Sequence, residues 1–189
     1  MQCYDRPEAG LVDGMTGPDT DVFTIRAEDQ EDAASIRRVN EAAFGTSIEA
    51  DIMERLRTEV STVVSLIAQQ DGAIVGHILL SPVTLVEHPE LTMMGLAPMA
   101  VVPNHQRRGI GSALVRAGVD ACRRLDVAAV AVLGHAGYYP RFGFAPASRY
   151  GIKSEYEVPD DEFMILELRP GCLGGRAGTV RYHAAFGTE

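Results

Sequence analysis

Cysteine is scarce in this chain. Only Cys3, Cys122 and Cys172 occur among 189 residues. They lie far apart, with no CxxC and no Cys/His pair at metal-ligand spacing, which argues against a zinc-ribbon site or a disulfide framework and predicts no metal. An odd, sparse set suits a reducing compartment. Cys122 falls within a predicted helix and reads as filler near the core edge. Long apolar runs are also missing, since none approaches the roughly 20 residues that cross a bilayer. The N-terminus lacks a basic start followed by an apolar block. Neither a membrane partner nor a signal peptide is predicted, and the default location is cytoplasmic. Basic excess is absent too: the net charge is -9. A general nucleic-acid binder needs a basic footprint, so nucleic acid is not an expected partner. The acidic balance attracts cationic substrates such as amines, or serves solubility alone. No internal repeat or low-complexity tract appears. What remains, 46% hydrophobic and 23% charged residues, is ordinary for one globular domain with a substantial core.

Residues 1–21 contain Pro7, Gly10, Gly14, Gly17 and Pro18 without periodicity and read as a flexible leader. Met15 stands inside it as an alternative initiator. The folded domain is expected over 22–189. Val22 to Arg26 reads as a first strand. Asp29 caps a helix starting near Glu31, with Ile36, Val39, Ala43 and Phe44 at helical spacing and Gly45 as its end. Ser47 caps a second helix marked by Ile48, Ile52 and Leu56. Val63 to Ala68 and Ala73 to Leu80 flank Asp71-Gly72, a strong hairpin signal. Pro82 predicts a kink before an extension to Glu87. His88-Pro89-Glu90 is a turn, and Met93 to Val102 is the next strand. This order is not the strict βαβα alternation of a doubly wound nucleotide fold.

The most informative stretch follows. An apolar strand ends at Pro103, a polar loop carries Gln106-Arg107-Arg108-Gly109-Ile110-Gly111, and an amphipathic pattern starts at once. Ile110, Ala113, Leu114, Ala117, Ala121 and Leu125 mark one helix face. The first turn of such a helix offers unpaired N–H groups and the positive end of the dipole to an anion. Gly109 and Gly111 let a phosphate approach the backbone, and Arg107 and Arg108 add cationic side chains. The loop lacks the lysine of a phosphate-binding Walker loop and the third glycine of a dinucleotide fold, where Leu114 stands instead. Val127 to Leu133 is a buried-strand pattern, so strand, helix and strand make one βαβ unit. A second segment, Tyr138-Tyr139-Pro140-Arg141-Phe142-Gly143-Phe144, predicts a short helix that Gly143 closes in the left-handed region. Phe163 to Leu168 and Thr179 to Tyr182 complete the strands.

Gln106-x-x-Gly109-x-Gly111 resembles the acetyl-CoA pyrophosphate loop of the GNAT N-acetyltransferases, and the Tyr138 to Phe144 segment resembles their F-Y-x-x-x-G-F signature. With the Tyr-Gly-Ile, Pro-x-x-x-Phe-Met and Leu-Arg-Pro-Gly segments that follow, the chain looks like the YhbS-type bacterial branch over roughly residues 22 to 185. The resemblance implies an α/β (α+β) fold of the acyl-CoA N-acyltransferase kind. Its mixed, mostly antiparallel central sheet has a splayed pair of parallel strands and flanking helices. It implies acetyl-CoA as cosubstrate. Gln106, Arg107, Arg108, Gly109, Ile110, Gly111, Ser112 and Ala113 would hold the pyrophosphate. The backbones of Met99, Ala100 and Val101 would meet the pantetheine arm. The strand before the loop is expected to bulge, and Pro98, which has no N–H, suits a ladder break or simply an edge.

Acetyl transfer to an amine needs a held donor, a deprotonated amine, a stabilised oxyanion and a protonated leaving thiolate. Tyr139 is the candidate catalytic acid, its phenol near pKa 10 matching a thiol of similar basicity, with packing as the alternative role. Tyr138 reads as core. For the base, Glu49, His77, His135 and water stay open. Their ordinary alternatives are a solvated helix carboxylate, a hydrogen-bonded strand histidine and an incidental loop histidine. Many GNAT proteins carry Asn seven residues before the tyrosine, where this chain has Val132. A CoA-binding regulatory or interaction module that lacks transfer is the competing reading. The acceptor would be a small-molecule or peptide amine, and a homodimer is the default assembly.

Overall fold

The structure is a computed structural model and describes residues 22–187. The predicted leader over 1–21, with Met15, lies outside the described residues. The elements run β1 (Thr24–Ala27), α1 (Ala33–Phe44), α2 (Ile48–Glu59), β2 (Val64–Gln70), β3 (Ala73–Leu85), β4 (Met93–Val101), α3 (Ile110–Arg124), β5 (Ala129–Leu133), β6 (Ala145–Pro146), β7 (Ile152–Ser154), β8 (Phe163–Glu167) and β9 (Gly178–Arg181). The main sheet has the order β1-β2-β3-β4-β5-β8-β6, and β9 joins β3 to β7. Pairing along that main path is antiparallel except for β4 and β5, which α3 connects as the expected βαβ unit.

The local signals act where the sequence places them. Asp71 and Gly72 both take positive φ, 50° and 79°, the twist a two-residue hairpin needs. Gly45 closes α1 at φ 76°. Asp29 and Asp32 form the capping box that opens the α1 region, through a 3-10 turn over Gln30–Asp32. The kink expected at Pro82 does not occur, because β3 is one strand from Ala73 to Leu85. Pairing with β2 ends at Leu80, and β9 takes over that side only from Thr84. Pro82 stands in the gap between the two neighbours, so its missing N–H costs no ladder bond. β6 follows the Gly143 turn where Phe144 is expected to begin a strand, whereas the three-residue β7 carries no periodicity and is not expected.

Strand alternation splits the core. Ile78 and Leu80 of β3 join Ile110, Leu114, Val115 and Val119 of α3 on one face. Leu79 and Ile67 meet Ile36, Met53 and Leu56 of α1 and α2 on the other. The segment after β5 covers the rest of that second face, with Val180 and Tyr182 against Val83 and Met93. Glycines allow α3 to lie close. A Cβ on Gly76 would come within 3.0 Å of Ile110 and Leu114, and one on Gly118 within 2.8 Å of Leu80. Cys122 is fully buried rather than at the core edge, and burial pushes its thiol up to about 12.

Gly95 in β4 provides the sharpest packing test. A Cβ there would lie 2.7 Å from Val83 and 2.9 Å from the Tyr182 ring, and neither can step aside in a filled core. Gly95→Ala is expected to cost about 1–3 kcal/mol. At about 2–4 °C per kcal/mol for a chain of this size, calorimetry should show a lower melting temperature. An unchanged melting temperature would contradict the packing described.

Candidate active site

The site is a fork between parallel strands. β4 and β5 pair from Met93 with Ala129 to Leu96 with Val132, and the pairing stops there. β4 continues to Val101 along β3. Its register against β3 shifts between Ile78 and Leu80, because three steps from Leu96 to Met99 face two on β3. The extra residue falls at Ala97-Pro98, whose peptide bond is cis. The strand therefore bulges where it leaves β5.

The bulge fixes which backbone groups face the gap. Val102 donates its N–H to the Val75 carbonyl. Antiparallel pairs alternate between bonded and non-bonded, so Ala100 turns its backbone toward His77 of β3, while Met99 and Val101 turn theirs toward the opening. The Val101 carbonyl already accepts a bond from Gln106 Nε2 at 2.9 Å. Gln106 thus ties the loop to β4, and the Val101 N–H faces the gap. Of the three residues expected along the arm, Met99 and Val101 present backbone there and Ala100 does not.

Beyond the gap lies the head of α3. Arg107 takes φ 63° and Gly109 φ 87°, two left-handed residues that turn the chain sharply into the helix. Among the described residues the N–H groups of Gly109, Ile110, Gly111 and Ser112 donate to no carbonyl, whereas Ala113 donates to Gly109 at 3.0 Å. Four amides at the positive end of a fifteen-residue helix form a cradle for a diphosphate. Ile110 contributes only backbone, since its side chain is buried against Gly76. Arg107 and Arg108 are exposed at the rim.

Two tyrosines span the mouth of the fork. The Tyr138 hydroxyl lies 3.0 Å from where a Cβ of Gly111 would be, with Met99 beside it. Its ring meets that of Tyr139 edge-on at 5.1 Å. The Tyr139 ring lies so close over Gly134, just past β5, that a Cβ there would collide with it. Tyr138, expected in the core, is half-buried and reaches the cradle. Tyr139 is the buried one, 7% exposed, yet its hydroxyl is neither sealed nor hydrogen-bonded among the described residues. Burial raises its phenol to about 12, helped by Tyr138. The group is protonated at neutral pH and carries a proton it can give, as a weaker acid than an ordinary tyrosine. Gly143 closes the 3-10 turn over Tyr139–Phe142 at φ 92°, which fixes the ring's direction. Val132, where Asn was noted as frequent, is fully buried in the apolar cluster with Leu96 and Met164.

The three side-chain bases stand in different places. Glu49 is at the start of α2, where Thr46 Oγ1 donates to it at 2.8 Å. His135 is exposed at the turn after β5, and its carbonyl accepts the Tyr138 N–H at 2.9 Å. His77 is fully buried and cannot meet a substrate. Its Nε2 bonds Ser65 Oγ at 2.8 Å, its Nδ1 lies 3.4 Å from Asn40 Nδ2, and Ser65 donates to Glu28. Arg57 grips Glu28 through two bonds of 2.8 Å. Burial holds His77 below its ordinary value, and a neutral ring protonated at Nε2 pairs both ring nitrogens, donating to Ser65 Oγ while Nδ1 faces the Asn40 amide. This network, which no local sequence pattern announces, ties α1 and α2 to β2 and β3.

Glu28 makes the network visible to pH. Burial pushes its carboxyl up, but His77, Arg57 and Ser65 outweigh that and bring it down from 4.5 to about 2. Stability from a lowered carboxyl is complete above its ordinary value and is lost as pH falls through the folded one. Glu28→Gln should therefore be less stable than the natural chain at neutral pH. The gap should close as pH falls from 4.5 toward 2, as urea unfolding would show. A gap independent of pH would contradict the assignment.

Residues 25–144 match the Acetyltransferase (GNAT) family. The N-acetyltransferase YjhQ of Escherichia coli is 41% identical over 74% of this chain and 79% of its own length. The crystal structure of the Escherichia coli GNAT protein YhbS in complex with CoA superposes with TM-score 0.82 at 30% identity, covering 91% of this chain and 95% of that one. A GNAT acetyltransferase from Brucella melitensis in complex with acetyl-CoA gives 0.73 at 35% identity, covering 89% and 100%.

Proposed function

The chain belongs to the GNAT acetyltransferase family and is an acyltransferase; we propose that it moves the acetyl group of acetyl-CoA to a primary amine by direct attack in a ternary complex. One observation carries the reading. Four amides heading α3, unpaired among the described residues, and the open backbone edge of β4 line one fork, where the Tyr138 hydroxyl meets Gly111 and Met99 and the Tyr138 ring packs edge-on against Tyr139. The relatives solved with CoA and acetyl-CoA support the choice of donor.

In this reading Gly109 to Ser112 hold the diphosphate, and the pantetheine arm lies along Met99 and Val101 as an added strand would. The Val101 N–H polarises the thioester carbonyl and stabilises the oxyanion. The amine nitrogen, having lost a proton to water, attacks the carbonyl carbon and forms the C–N bond, and the positively charged nitrogen of the tetrahedral intermediate then gives a second proton to water. The C–S bond then breaks and its electron pair goes to sulfur. Tyr139 gives its proton to the thiolate and regains one from solvent. Water serves as the base in this reading, and His77 is sealed off from any substrate. The acceptor is a small-molecule or peptide amine, and the net charge of -9 draws such cations inward.

The test is release of free thiol from acetyl-CoA against a panel of amines. Turnover with at least one amine is expected, and Tyr139→Phe should lower kcat about 10²-fold or more with CoA affinity unchanged. Stabilisation by CoA with no turnover on any amine would favour a binding module instead. Full activity in the Phe variant would remove Tyr139 from the mechanism.

A further inference from the structure

Two arginines near the cradle meet no acidic partner among the described residues. A surface pocket of about 320 Å³ on the outer side of α3 is lined by Arg116, Val119, Asp120, Arg123, Arg141 and Phe142. Asp120 is engaged by Arg123 at 2.6 Å. Arg116 and Arg141 meet no carboxylate among the described residues. Both stack on one ring: the Arg116 guanidinium lies 5.4 Å from the Phe142 centroid, and that of Arg141 lies 6.0 Å from it. Arg141 is further held over Tyr138 at 4.5 Å and donates to the Tyr138 carbonyl at 2.9 Å. Two like charges drawn to one ring repel each other, and in a chain of net charge -9 acidic partners are plentiful elsewhere. Such a convergence is relieved by a bound anion.

The pocket adjoins the cradle. Tyr138 touches the Gly111 backbone with its hydroxyl and carries Arg141 on its ring. Arg116 lies five residues along α3 from Gly111, about 7.5 Å at 1.5 Å per residue. An anion held here would be covalently close to a diphosphate bound at Gly109 to Ser112. We propose that Arg116 and Arg141 form a phosphomonoester subsite that takes the 3′-phosphate of CoA, one ribose away from that diphosphate. Planar guanidiniums match phosphate oxygens in pairs, and the aromatic stacking orients them in advance. The inference rests on the CoA reading above and adds to it a means of choosing CoA over ligands that share its diphosphate and arm.

Calorimetric titration with CoA and with dephospho-CoA, which differs only in the 3′-phosphate, tests it. The natural chain should bind CoA about ten- to hundredfold more tightly. Arg116→Gln and Arg141→Gln should each reduce that preference, and the double variant should abolish it while leaving dephospho-CoA affinity unchanged. Arg116 is exposed and touches only Phe142 in this cluster, so its variant should remain folded. Equal affinity of the natural chain for both ligands would overturn the subsite but leave CoA binding intact. Loss of both affinities together in the variants would show that the arginines act only by shaping Tyr138, and would also overturn it. Binding of neither ligand to the natural chain would instead remove the CoA reading itself.

Discussion

The structure depends on a backbone hydrogen-bond ladder that is broken on purpose. Every backbone N–H and C=O needs a partner, and a central strand normally finds partners on both sides. β4 has them on both sides only as far as Leu96. Beyond that the bulge at Ala97-Pro98 turns Met99 and Val101 toward an opening with no strand in it. In the middle of a sheet this edge is protected from the pairing that exposed edges invite. It is a slot for an extended ligand with polar groups at strand spacing.

Much of the rest of the fold keeps that slot open. α3 is pressed on β3 through Gly76 and Gly118, which fixes its first turn at the far end of the gap. Gln106 bonds the Val101 carbonyl and so sets the height of the loop. Tyr138 and Tyr139 bridge the mouth, from Gly111 on one side to Gly134 on the other. On the opposite face the network of Glu28, Ser65, His77, Asn40 and Arg57 locks the first two helices to the hairpin. Buried polar networks with nearly every group paired stiffen what they join, and only Asn40 Oδ1 is left without a partner in this one.

What the sequence made legible is what local chemistry dictates. The glycines at 72, 109 and 143 stand where φ is positive, and each was readable as a turn, a helix start or a helix end. The strand-loop-helix unit announced itself because an apolar run, a glycine pair and an amphipathic face follow one another directly. The site's finer assignments were not local. Nothing near Gln106 says that its amide will be spent on Val101. Tyr138 and Tyr139 are adjacent and chemically alike, and only packing against Gly111 and Gly134 tells which is buried. Pro82 misled because a proline in a long strand is ordinarily a break, and its neighbours change strand at that residue. His77 was readable as a strand histidine, but the network it joins draws Glu28, Asn40, Arg57 and Ser65 from four other segments of the chain.

The central claim is that the open edge of β4 and the head of α3 bind one continuous ligand through main-chain amides. Residue-resolved hydrogen exchange with and without CoA tests this most directly. The account predicts that Val101 and Gly109 to Ser112 exchange more slowly once CoA is bound, while Ala100 and Ala113, already bonded within the fold, change little. Protection that falls on Ala100 or on another face of the sheet, with the Gly109 to Ser112 amides unaffected, would contradict it.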